Sequence, residues 1–372
     1  MAIDIICTIG PASHDPAVLR ELITHGMTVA RINMSHGDHP THQATIQHVR
    51  ELSKSMGKPV KILADLQGPK IRLGEIKGQN APTNAVTLTA GQTFIIRTTS
   101  MIGNQNEASV DYPGITNDVK LGARILINDG EVRLTATHVH ADHIETEVTV
   151  GGTISSHKGV NLPDTRVGLP AMTQKDQSDL RFLLLEKVDM VACSFIREAA
   201  HLDEIRSYAG ITRGHTPRLI AKIETMEGIR NFTGIRDTAD GIMVARGDLG
   251  VELPYQWVPV LQKAMINECR RTDTYVITAT QMLQSMIDHP VPTRAEVTDI
   301  FQAVLDGTDA VMLSAESAAG QYPVQSVETL KTVAQFALRQ KQEQPFTVED
   351  MVELLSENTD TTSTESREPV LV

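Results

Sequence analysis

Short apolar runs recur along most of this chain, each followed by ten or more residues with helical periodicity. The runs are IDIICTI, TVARINMS, VKILADL, VDMVACS, RLIAKIE, GIMVARGD, TYVITAT and DAVMLSA. Strands that alternate with helices pair in parallel, and eight such units predict an α/β fold, a closed (β/α)8 TIM barrel rather than an open doubly wound sheet. Thr173 with Asp176 and Thr293 with Glu296 read as helix N-caps, the second pair as a capping box. A final helix is expected over roughly residues 325–338.

Between Gly68 and Pro163 the period changes from helical to alternating, with threonine-rich and valine-rich strands such as AVTLTAGQTFIIRTT and HIETEVTV. ILINDGEVRL reads as a tight hairpin at Asp129 and Gly130. The expected organisation is therefore a first barrel part over 1–67, an all-β insertion over 68–165, a second barrel part over 166–340, and a segment over 341–372. The insertion, expected to be a small β-barrel, leaves after the third strand, so it would hang over the C-terminal mouth as a lid. Within the last segment, Phe346, Val348, Met351, Val352 and Leu355 could line one helical face, and the acidic end beyond them is expected to be disordered.

Several strands end in polar residues, which is where barrel enzymes gather their chemistry. Lys222 and Glu224 lie two apart on one strand and so project to the same side. Asp248, Thr280 and Glu316 follow other apolar runs in the same way. Arg31, Asn33 and Ser35 alternate at the end of the second strand, where the fork of arginine suits a phosphate and the oxygens suit a hard cation. Asp65 ends the third strand and could join them, with Lys70 and Arg72 at the root of the insertion. Glu224 and Asp248 could hold Mg2+, and the nearby Lys222 and the open backbone of Gly247 favour a phosphoryl-transfer site.

Charge and composition narrow the partners. The 34 basic and 46 acidic residues give a net charge of −12, which argues against nucleic acid or an anionic membrane. No apolar run approaches the roughly 18 residues that cross a bilayer, and MAIDII lacks the basic start of a signal peptide, so the chain is expected in the cytoplasm. Cys7, Cys193 and Cys269 have no paired or zinc-like spacing and read as buried apolar residues. His36, His39, His42 and His48 form one histidine group, and His138, His140 and His143 another. Neither reads as a zinc site, for want of carboxylate or thiolate company at ligand spacing. There is no GxxxxGK[ST] or GxGxxG loop, so a nucleotide would be held some other way.

ICTIGPAS, RINMSHG, DLQGPKIR, KGVNLP, AKIETMEGIRNF, MVARGDLGVELP, TATQMLQSMI and PTRAEVTDIFQAVLDGTDAVMLSAESAAGQYP run in family order, and together they resemble pyruvate kinase. The resemblance implies transfer of the phosphoryl group of phosphoenolpyruvate to ADP, giving pyruvate and ATP, in a barrel with a mobile β-domain. It implies Lys222, Thr280 and Arg31 as catalytic residues, with Gly247 and Asp248 also holding substrate. Glu224 and Asp248 match the Mg2+ (or Mn2+) ligands, and Asn33, Ser35, Asp65 and the backbone of Leu66 match a monovalent-cation (K+) site. Asn33, His36, Arg72 and Lys158 match positions near the nucleotide. Family members that need K+ typically carry glutamate where this chain has Lys70, whereas lysine there tends to accompany leucine at the position of Leu66, so activity without K+ is expected, with the Lys70 ammonium near Asp65 supplying the charge. Basic residues that often precede the first strand are replaced by MAID. The resemblance offers no counterpart here to the family's C-terminal α/β domain, so the usual allosteric pocket and one subunit interface are expected to be missing, and a homodimer would have to form through the barrel. The rival reading is a catalytically silent regulatory protein that binds phosphoenolpyruvate or nucleotide.

Overall fold

A computed structural model of the chain describes residues 3–78, 84–163, 165–210 and 217–340. The expectations for 341–372, including an apolar face from Phe346 to Leu355, lie outside the described residues. Eight parallel strands close into a barrel: Asp4–Ile9, Val29–Asn33, Lys61–Asp65, Met190–Cys193, Arg218–Ile223, Gly241–Ala245, Tyr275–Ala279 and Ala310–Leu313. Each strand pairs with its neighbours in chain order and the first pairs with the last, Asp4 opposite Ala310. This is the α/β barrel that the eight apolar runs predict.

Both faces of these strands are buried, which is why they read as continuous apolar runs rather than alternating ones. Ile6, Val29, Leu63, Met190, Ala192, Ile220, Met243, Ile277, Ala310 and Met312 fill the inside of the barrel. The opposite parity, with Ile5, Cys7, Ile62, Val191, Leu219 and Val276, packs outward under the helices. Both N-cap pairs turn out to be full capping boxes, opening the helices Gln174–Leu185 and Arg294–Asp306. The final helix covers Pro323–Gln340. All three cysteines are free and buried, and burial pushes the Cys193 and Cys269 thiols up to about 12, as befits packing residues.

Residues between the third and fourth barrel strands form a seven-stranded sheet and a two-stranded sheet around a separate apolar core that includes Phe94, Ile96, Ile125, Leu134 and Ile144. The segments at the ends of the larger sheet meet through isolated bridges, Leu73 to Val110 and Ile76 to Gly103, rather than a full ladder. Arg124–Ile127 and Val132–Val139 form the expected hairpin, with Asn128, Asp129 and Gly130 at positive φ in the turn. Gly68 begins the excursion at φ +71°, and a Cβ there would stand 2.7 Å from that of Ser194. Its amide donates to the buried Asp176 at 3.0 Å. The root of the insertion is thereby pinned to the end of the fourth strand and to the helix that precedes it, and only glycine fits.

Candidate functional site

Parity along the strands places the site. Two residues beyond an inward apolar residue comes the next inward position, so Ile6 leads to Thr8, Val29 to Arg31, Leu63 to Asp65, Ala192 to Ser194 and Ile220 to Lys222. Five strands thus change from apolar to polar at the same level, and their polar side chains form one connected layer. Arg31 donates from Nε to Asp65 Oδ2 and from Nη1 to Thr8 Oγ1, both at 2.8 Å. Lys222 Nζ donates to Ser194 Oγ at 2.7 Å and to Asp65 Oδ1 at 3.2 Å, and lies 3.0 Å from Glu224 Oε1. The alternation of Lys222 and Glu224 therefore brings them together, and Asp65 joins them.

Asp65 and Glu224 are each 1% exposed, so the charges in this layer are buried and depend on one another. Burial pushes the Asp65 carboxyl up, but Lys222 and Arg31 outweigh it and hold the group below the usual carboxylate range. Burial likewise opposes the charge on Lys222, which Asp65 and Glu224 restore, so its pKa is raised. Glu224 goes the other way: burial and the charge of Asp248 push it up despite Lys222 and the Phe195 amide, which donates to it at 2.6 Å. Glu224 is the carboxylate with most to gain from another cation.

Asp248 does not end a strand as its apolar lead suggests; it lies in the first turn of the short helix Arg246–Glu252. Lys70 Nζ donates to Asp248 Oδ1 at 3.1 Å and lies 3.6 Å from Asp129 in the insertion. Lys70 was expected beside Asp65, and its position on Asp248 is a correction: the turn after Gly68 carries it across the mouth to the sixth strand's side. With their mutual repulsion, the buried Glu224 and the half-buried Asp248 fit a divalent ion such as Mg2+, each being held here by an ammonium, from Lys222 and Lys70.

Thr280 follows the seventh strand with φ +68°, rare for a β-branched residue. Its hydroxyl donates to the carbonyl of Ala279 at 2.7 Å and accepts the Gly247 amide at 2.8 Å, which joins two of the expected substrate positions. Arg246 holds that turn. Its guanidinium donates to both carboxylate oxygens of Asp299 and to the carbonyls of Ala279 and Thr280. Backbone strain of this kind persists where the surroundings over-determine it.

Ser35 lies in the turn beyond the second strand, so the alternation of Arg31, Asn33 and Ser35 ends at Asn33. The Asn33 side chain accepts the Ser35 amide at 3.1 Å, and the Leu66 carbonyl accepts Ser194 Oγ at 2.8 Å. Three of the residues expected at a monovalent-cation site, Asn33, Asp65 and Leu66, thus each accept a hydrogen bond from the protein. Arg72 lies on a short strand of the insertion and Lys158 just before the strand that faces it, where the Leu73 amide donates to the Lys158 carbonyl at 2.9 Å. His36 is in the loop after the second strand, its carbonyl 2.8 Å from His42 Nε2. Among the described residues no hydrogen bond or ion pair joins His36 to Arg72 or Lys158. Glu316 is a tie between loops: its buried carboxylate accepts the amides of Leu283 and Ser314.

Thr8, Ser194, Arg246 and Asp299 escaped the sequence reading. Ser194 and Thr8 carry the same parity signal as Lys222, but a lone hydroxyl at a strand end draws no notice. Arg246 and Asp299 are 53 positions apart, and nothing in the sequence pairs them. A cleft of about 340 Å3 runs between insertion and barrel, lined by Lys70, Asn161, Phe195, Arg197, Thr225 and Glu227 among others. Asn161 of the insertion donates to Glu252 of the barrel at 3.1 Å across it.

The family model for the barrel domain of pyruvate kinase matches residues 2–327. The pyruvate kinase of Geobacillus stearothermophilus is 46% identical over 340 residues, which are 91% of this chain and 57% of that protein. The pyruvate kinase of Clostridium acetobutylicum is 43% identical over 89% of this chain and 69% of its own length. The crystal structure of a pyruvate kinase from Cryptosporidium parvum superposes with a TM-score of 0.86 at 38% identity, covering 93% of this chain and 74% of that one. The chain spans little more than half the length of the first of these relatives.

Proposed function

The chain belongs to the pyruvate kinase family, and from that premise we propose that it transfers the phosphoryl group of phosphoenolpyruvate to ADP. The observation that carries the reading is the position of Lys222, an ammonium fixed by Asp65, Ser194 and Glu224 at the level where the barrel turns from apolar to polar. Phosphoryl transfer needs positioned positive charge rather than a protein nucleophile. In the proposed reaction the phosphorus–oxygen bond of phosphoenolpyruvate breaks, one to an ADP oxygen forms, and the enolate left behind takes a proton at carbon.

In this assignment Lys222 neutralises charge on the phosphoryl group in flight. Arg31 spends Nε and Nη1 on Asp65 and Thr8 and offers Nη2 to a phosphate oxygen. Gly247 and Thr280 hold the carboxylate end of substrate, with Thr280 on the face where the enolate is protonated. Bound at Glu224 and Asp248, Mg2+ or Mn2+ would neutralise further phosphate charge. His36, Arg72, Lys158 and Asn33 are the residues proposed to face the nucleotide. The insertion serves as the lid that excludes water, a competing phosphoryl acceptor. The K+ site is proposed to be dispensable, because Lys70 brings a fixed charge to the centre.

A coupled assay with phosphoenolpyruvate, ADP and Mg2+ is expected to yield pyruvate and ATP. Folded protein that binds phosphoenolpyruvate without turning it over would overturn the assignment in favour of the silent regulatory protein. Gly247→Ala tests the substrate subsite. The added Cβ would stand 3.5 Å from Thr280 Oγ1, an ordinary contact, so the fold should stand unchanged. The methyl would instead obstruct a ligand carboxylate approaching the backbone, and KM for phosphoenolpyruvate should rise about tenfold, or roughly 1.4 kcal/mol. An unchanged KM would remove Gly247 from the subsite.

A further inference from the structure

The second histidine group, expected to want carboxylate company at ligand spacing, has Asp142 beside His143 along the chain and gains Glu145 across a hairpin. Val132–Val139 and His143–Val150 form an antiparallel hairpin in which His138 lies directly opposite Glu145. A register shift separates Glu145 from Thr146, and such bulges re-aim side chains. Along the second strand Ile144, Thr146 and Val148 face the core, so His143 and Glu145 face outward, and His138 on the first strand and His140 just past its end are both exposed. Four donors therefore share one outer face at the tip of the hairpin.

They are close. His140 Nε2 is 3.6 Å and His143 Nε2 4.0 Å from Glu145 Oε1, and His138 Nδ1 is 3.2 Å from Oε2. The rings of His140 and His143 stack with centroids 4.3 Å apart. His143 Nδ1 lies 2.8 Å from Asp142 Oδ1 and donates its proton there, which leaves the lone pair on Nε2, the atom turned toward Glu145. A carboxylate behind a histidine in this way is the usual support of a metal-ligating imidazole. The tip is also anchored, since the Thr98 amide and hydroxyl both donate to the Asp142 carbonyl. Among the described residues, His140, His143 and Glu145 are the group whose ligand atoms all lie within 4.8 Å of one another.

We infer that His140, His143 and Glu145 form a binding site for a divalent transition ion of the zinc type, with His138 as a further ligand. Bonds of roughly 2.0–2.1 Å to nitrogen require tetrahedral donors about 3.3 Å apart, so the pairs at 3.6 and 4.0 Å need only a tilt of side chains that are partly exposed. Imidazole nitrogen selects such an ion over Mg2+, which prefers oxygen, so the site is chemically distinct from Glu224 and Asp248. One strand of the hairpin is rooted beside the barrel mouth, where Asp129 meets Lys70. The eight residues of Val132–Val139 carry the tip about 25 Å away from there.

The test is titration of the full chain with Zn2+ by calorimetry, in excess Mg2+ to occupy the carboxylate site. One equivalent is expected to bind, and His140→Ala with His143→Ala should abolish it while leaving turnover in zinc-free buffer unchanged. Asp142→Asn keeps every ligand and the exposed surface, and should weaken binding about 10- to 100-fold. Failure of the wild-type chain to take up Zn2+, or uptake that neither substitution alters, would overturn the site without bearing on phosphoryl transfer.

Discussion

Lys222→Met is expected to lower kcat about 10^3-fold while KM for phosphoenolpyruvate changes only a few-fold, because in the proposed reaction the ammonium acts chiefly on charge that develops in the transition state. Lys222→Arg should not rescue it. A guanidinium is larger and planar, and the space between Asp65 Oδ1, Ser194 Oγ and Glu224 Oε1 is set for three contacts of 2.7 to 3.2 Å from a single nitrogen. The same substitution leaves two buried carboxylates short of a cation, and breaking a buried pair costs about 3–5 kcal/mol. That cost depends on pH with a definite sign. Glu224 already titrates above its ordinary range through burial and Asp248, and losing Lys222 raises it further. A carboxyl whose folded pKa exceeds its unfolded value of about 4.3 destabilises the fold as pH rises through the interval between them. Asp65, held low by Lys222 and Arg31, contributes stability that is present above about pH 3.9 and is lost as pH falls through its folded pKa. The difference in melting temperature between wild type and Lys222→Met should therefore be wider at pH 8 than at pH 5. A constant gap would mean that the lysine does not carry these carboxylates.

The barrel was legible because its signal is redundant: eight apolar runs in alternation with helices admit few closures, and burial on both faces suppresses the polar positions that would blur them. Lys222 and Glu224 were legible for the same reason, since strand parity is rigid over two residues. Parity stops being informative where the strand stops. Ser35 and Asp248 sit past strand ends, in a turn and a helix, so alternation misplaced both. Lys70 was misplaced because its destination depends on the positive φ of Gly68, three-dimensional information that a string of letters does not hold. Glu145 shows the converse failure. Its distance from His138 along the chain hides a direct cross-strand pairing that the hairpin register creates. Long-range partners such as Arg246 and Asp299 lie beyond any local pattern.

Lys70→Glu is expected to make activity depend on K+. In the native chain, assayed with a bulky organic cation in place of K+, turnover should persist, because Lys70 already places a charge 3.1 Å from Asp248 and its pKa is raised: burial opposes the charge, but Asp248 and Asp129 more than restore it. Glutamate there would set a third carboxylate beside Asp248 and Glu224, and the charge at the centre would change by two. Anionic substrate and developing phosphoryl charge would both be disfavoured, and turnover without K+ should fall about 10^2-fold, the scale expected for losing one well-placed electrostatic partner. The oxygens of Asn33, Ser35, Asp65 and Leu66 remain in the variant, so K+ should restore much of the rate. Lys70→Met separates the two effects: it removes the ammonium without adding a carboxylate and should lose less than Lys70→Glu. Should the native chain itself fall silent without K+, the ammonium on Asp248 does not stand in for the monovalent ion, and its pairing there serves to hold Asp248 and the insertion's Asp129 together across the mouth.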